Sequence, residues 1–223
     1  PRDDALQSRL RRFFTRSEIF ALPNKKASYE LAHIVFYLSD YGQRAPQLPA
    51  TAIRSLNFAG ILAYLDQDMD LLAEICAALR LAGAAAPALW EDAVQSAARA
   101  CRIVPQQGGG PVDGYHAYLV TGWAAHMSGG AAFCQPVPQG AVAIRYTPSN
   151  GALQALSAAL FEMGETRQAQ WSPMRGRVMR ALDPEAQEIL TEAETSCPQF
   201  EAFFARFARA PIPAMPSAVQ LRR

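Results

Sequence analysis

The sequence predicts an all-α protein in which antiparallel helix pairs form a bundle or irregular α/α array of about nine helices. Three observations carry that expectation. Apolar residues recur at three- and four-residue spacing through most of the chain. Half of the 223 residues are hydrophobic, much of that fraction alanine, which favours helix and lets helices approach closely. The one short β-prone run is Val142-Ala143-Ile144-Arg145-Tyr146, inside a stretch rich in glycine and proline.

The elements follow in order. Residues 3–16 open with Asp3 and Asp4, suited to a helix N-terminus, and carry Leu6, Leu10, Phe13 and Phe14 as an apolar stripe. After a connector broken by Pro23, a second helix begins near Ser28 and runs to Gly42, a left-handed terminator. Pro46 and Pro49 mark an extended link, and a helix then runs to about Leu65. Asp66, Asp68 and Asp70 alternate like calcium ligands, but the glycine and distal glutamate of an EF-hand loop are missing at the required offsets. Asp68 is instead read as the cap of a helix from Met69 to Leu81. Trp90 to Ile103 and Gly114 to Met127 form two further helices, separated by the glycine-rich 106–111 loop, which lacks the Gly-Lys-Ser/Thr of a phosphate cradle.

These helices define a core region, 1–128, with the candidate site. The segment 129–149 is expected to be a lid or joint. C-terminal helices then fill 150–210, over Leu153–Met163, Pro173–Leu182, one begun by Asp183-Pro184, and one begun by Ser196 and Pro198 that carries a phenylalanine stripe. Residues 211–223 read as an extended tail. No fixed repeat period is present, so a regular solenoid is not expected.

Composition narrows the partners. The net charge of +1 gives no field that recruits nucleic acid or a membrane surface, and no apolar run reaches the roughly 18 residues of a membrane span. Cys76, Cys101, Cys134 and Cys197 are scattered, which fits reduced thiols in the cytoplasm rather than a zinc site or disulfide framework. The opening at Pro1, without an initiator methionine, leaves a preceding segment open.

Only three histidines exist, and two sit in similar frames: Glu30-Leu31-Ala32-His33 and Asp113-Gly114-Tyr115-His116. An acid three residues before a histidine projects both side chains to one helix face, with Tyr37 and Asp40 continuing the first face and Tyr115 beside the second. Helical bundles build metal sites from such frames on facing helices. Glu30, His33, Asp113 and His116 are accordingly the candidate metal ligands, a set suited to iron or manganese, with Glu74 and Glu162 as available further carboxylates. Without a metal, His33, His116, Asp40, Tyr37 and Tyr115 are candidates for acid–base work. No nucleophile elbow or Cys–His signature supports covalent catalysis. A satisfied polar network that merely fixes helix packing competes with both readings.

The pattern Ala32-His33-x-x-Phe36-Tyr37-x-x-Asp40-Tyr41-Gly42, with Asp113-x-Tyr115-His116, resembles bacterial proteins of unknown function over residues 27–127. That resemblance implies no activity. The expected function is an enzyme or ligand-binding protein whose buried His/carboxylate/Tyr cavity takes a small polar ligand, with or without a bound transition metal. The alternative is a noncatalytic helical adaptor for a protein partner. The first expects His33 and His116 to share a pocket; the second expects them apart.

Overall fold

The computed structural model describes residues 4–106, 114–147 and 149–210. Among them are ten α-helices and one two-stranded sheet. The helices are α1 (Asp4–Phe14), α2 (Lys25–Leu38), α3 (Ala50–Leu65), α4 (Met69–Leu81), α5 (Ala88–Ala100), α6 (Tyr115–Met127), α7 (Leu153–Glu162), α8 (Trp171–Arg180), α9 (Pro184–Ser196) and α10 (Phe200–Phe207). The all-α class stands, with ten helices for about nine.

The architecture is organised around α3 and α4. Every residue from Phe58 to Leu65 and from Leu71 to Leu79 is buried, the signature of helices covered on all sides. Around α4 pack α2, α3, α5 and α6. One hydrophobic cluster runs from Phe14 to Ala208, so the C-terminal helices share the core of the first half.

Capping chemistry sets several starts. Asn24 accepts from the Ala27 amide at 3.1 Å, Asp68 from Leu71 at 3.2 Å, and Asp183 from Ala186 at 2.9 Å with Pro184 in the first turn. The caps expected at Asp68 and Asp183 are thus present. The final helix begins later than expected, at Phe200.

Two boundaries differ from expectation. The second helix ends at Leu38, and Asp40 and Tyr41 take left-handed φ values of 50° and 52° before Gly42. A helix continued through Asp40 would have kept it on the face of His33; the left-handed turn takes it off that helical spacing. The fifth helix stops at Ala100 because the next residues form β1 (Arg102–Pro105), antiparallel to β2 (Val142–Arg145), with Ile103 opposite Ile144. The segment 129–149 is therefore anchored at β2 by a ladder to residues before the glycine-rich loop. The Gly114 amide donates to Ile144 O at 2.9 Å, so this ladder also sets where α6 begins.

Gly151 sits against the end of α3, where an added Cβ would lie 2.6 Å from Leu65 O and from the Asp66 carbonyl carbon. Backbone cannot yield as a flexible side chain does. Gly151→Ala is expected to cost about 1–3 kcal/mol of unfolding free energy, measured by chemical denaturation; a neutral result would mean this junction is loosely packed.

Candidate functional site: two imidazoles on a buried carboxylate

Glu74 lies in the middle of an otherwise apolar run on α4, and its side chain is 2% exposed. His33 arrives from α2 with Nε2 3.4 Å from Glu74 Oε1 and 3.2 Å from Oε2. His116 arrives from α6 with Nε2 3.7 Å from Oε1. The two imidazoles, far apart along the chain, therefore share one carboxylate.

Packing explains why they meet. Phe36 on α2 and Trp123 on α6 pack edge to face at 5.1 Å, one turn beyond His33 and two turns beyond His116, drawing the two helices together over α4. Tyr146, at the end of β2, reaches Thr121 Oγ1 on α6 at 3.1 Å. Burial pushes that phenol up to about 12, so it stays protonated at neutral pH.

A second carboxylate backs the first. Asp70 precedes Glu74 by four residues on α4, and its Oδ1 lies 2.9 Å from His116 Nδ1. A carboxylate only accepts, so His116 Nδ1 is the donor in this contact, and its Nε2 is the ring atom turned toward Glu74. Tyr29 donates its hydroxyl to Asp70 Oδ2 at 2.9 Å. Burial raises the Tyr29 phenol well above its ordinary value, and the charges of Asp68 and Asp70 add to that. Tyr29 and Asp70 are positioning residues that fix the ring of His116.

Electrostatically the site is short of positive charge. Burial pushes the Glu74 carboxyl above the usual carboxylate range; the His33 imidazole pulls it back, Asp70 adds to the rise, and His116 again lowers it. Glu74 Oε2 has no hydrogen-bond partner, since His33 Nε2 sits close to it but off a hydrogen-bonding line. Both rings are about half open to solvent, at 48% for His33 and 52% for His116. Asp70 also lines a cleft of about 580 Å³, floored by Ala93, Ala97 and Ala117.

The carboxylates found against the imidazoles are Glu74 and Asp70 rather than the expected Glu30 or Asp40. Glu30 is half exposed and lies 4.0 Å from Lys26 Nζ. Asp40 lies in the left-handed turn beyond α2. Asp113 lies outside the described residues. Tyr37, 65% exposed, packs on Tyr41 at 6.0 Å, and Tyr115 is 56% exposed. Sequence reasoning missed Asp70 and undervalued Glu74. The available signal was a single acid inside Leu71-Leu72-Ala73-Glu74-Ile75-Cys76-Ala77, where an ionisable side chain has no ordinary reason to sit.

Among the described residues, no group of three or more His, Cys, Asp and Glu side chains is arranged so that it could hold a metal ion as it stands. No helix among them is long and apolar enough to cross a membrane.

Fold and site together define an all-helical protein with a buried histidine–carboxylate cluster. Residues 1–210 match a family described as a domain of unknown function (DUF6902), and the chain belongs to that family. No curated protein and no solved structure matches it.

Proposed function

We propose that the protein is an enzyme or specific binder that takes a small polar ligand on the open side of the His33–Glu74–His116 cluster, the imidazoles holding it and exchanging protons with it. The observation that carries this reading is the buried Glu74 carboxylate, held between imidazoles from two helices and still short of a partner at Oε2. Burying a carboxylate is costly, and a network selected only for stability would satisfy its atoms. The half-open rings give a ligand access, and the adjoining cleft falls within the size range of small-molecule sites. The four free thiols fit a reducing compartment, and a cytoplasmic location belongs to the same proposal.

A helical adaptor is the competing reading, and the exposed Tyr37 and Tyr41 pair is the feature that favours it. It has no use for a buried carboxylate shared by two distant histidines.

The test is a thermal-shift screen of small polar compounds on the full chain, repeated on His33→Ala and His116→Ala. Because each variant leaves the buried Glu74 with one imidazole fewer, it is expected to lose about 1–3 kcal/mol of unligated stability while remaining folded. At least one compound is expected to raise Tm, with affinity falling tenfold or more in each variant. Hits that bind both variants as well as the parent, or no hits, would overturn the proposal.

A further inference from the structure

The geometry points to a divalent first-row transition-metal ion held by His33 Nε2, His116 Nε2 and the Glu74 carboxylate, with Asp70 and Tyr29 as its supporting shell. This rests on the reading that the cluster is the functional site, and it names the cofactor that site takes.

Three independent features converge on a cation. The first is convergence: ring nitrogens from two helices, His33 Nε2 and His116 Nε2, come within 3.2 Å and 3.7 Å of the one buried carboxylate of Glu74. The second is the orphan Glu74 Oε2, almost fully buried, with His33 Nε2 3.2 Å away. The third is charge: Asp70 and Glu74 stand one turn apart, and no lysine or arginine is paired with either among the described residues, whereas nearby Asp66 and Asp68 share Lys25 at 2.8 Å.

The donor set is selective. Two imidazoles and one carboxylate with an open side suit zinc, iron or manganese, and nitrogen donors disfavour calcium and magnesium. An ion bonded at about 2.1 Å holds its donors about 3.0–3.4 Å apart. The His33–Glu74 distances of 3.2 and 3.4 Å already fall in that span, and the His116–Glu74 distance of 3.7 Å lies just beyond it. His33 and His116 therefore have to lean inward before the three enclose an ion, which fits the lack of a ready-made site. Both rings are half open to solvent, and the 3.7 Å distance lies only about 0.3 Å beyond that span, so the His116 contact to Asp70 need not break. The Tyr29–Asp70–His116 chain is the carboxylate–histidine support that metal-bound imidazoles use. With the ion seated, the ligand of the proposed function meets the ion on the solvent side rather than a bare imidazole.

The experiment is titration of the chelator-treated full chain with Co(II) and Zn(II), followed by calorimetry and, for cobalt, by visible absorption. One equivalent is expected to bind, with ligand-field bands characteristic of low-coordinate cobalt. Glu74→Gln, His33→Ala and His116→Ala are each expected to weaken binding by a hundredfold or more. Asp70→Asn is expected to weaken it about tenfold, and His126→Ala, at the far end of α6, not at all. Circular dichroism on each variant separates a lost site from a lost fold, and Asp70→Asn serves where Glu74→Gln does not fold. The ion is refuted if no saturable binding occurs, or if binding survives His33→Ala and His116→Ala. This readout needs no small ligand, so it stands apart from the screen: compounds that depend on the cluster in a metal-free protein would keep the proposed function and sink the ion.

Discussion

Replacing Trp90 by alanine is expected to lower the unfolding free energy by about 3–5 kcal/mol, the range for deleting a large buried aromatic. Trp90 is fully buried, and its ring lies so close over Gly60 of α3 that any Cβ there would collide with it. Its indole N–H donates to Ser196 Oγ at the end of α9 at 3.0 Å, so one side chain ties α5 to α3 and α9. Trp90→Phe, which keeps most of the ring and loses that hydrogen bond, should cost less than half as much. Equilibrium denaturation in urea measures both. If Trp90→Ala cost under about 1 kcal/mol, the packing at Gly60 would be wrong, because a void of that size is not filled without loss.

The second large effect runs in the opposite direction for stability and function. Glu74→Met replaces a buried carboxylate by an apolar side chain of similar length among Leu72, Ile75 and Ala78. Removing a buried, incompletely paired charge is often neutral or stabilising, so the variant is expected to equal the parent or gain up to about 2 kcal/mol. Ligand and metal binding at the cluster should vanish in the same protein. A stability loss above about 1 kcal/mol would make Glu74 a structural residue that the two imidazoles merely satisfy. A gain would mark it as a group kept at the expense of the fold, which is how functional residues behave.

Much of the fold was legible because it depends on local chemistry. Asp68 and Asp183 announced their helices through caps, and Pro184 announced the first turn. The strand at Arg102–Pro105 was not legible, because four residues adjoining a helix acquire strand character only from their partner at Val142–Arg145. The end of α2 at Leu38 was hidden for a related reason: helix spacing persists through Asp40, and the left-handed turn is a tertiary choice.

The candidate site divides in the same way. His33 and His116 could be picked out by type and frame. The acids found beside them could not, because the spacing within α2 points to Glu30, three residues away, and carries no information about carboxylates on a third helix. Tertiary packing chose Asp70 and Glu74, a pair spaced one turn apart on α4. No spacing along the chain signals these contacts, because they arise where α2 and α6 both lean on α4.

The enclosure of α4 by four neighbouring helices also fixes how the site can move. Amides from Leu71 to Leu79 have no route to solvent short of opening the whole molecule, so their hydrogen exchange should track global unfolding. Glu74 thus sits in one of the two segments expected to exchange most slowly, while the imidazole half rides on helices with an open side. Any breathing that admits a ligand therefore belongs to α2 and α6, and the carboxylates wait in place.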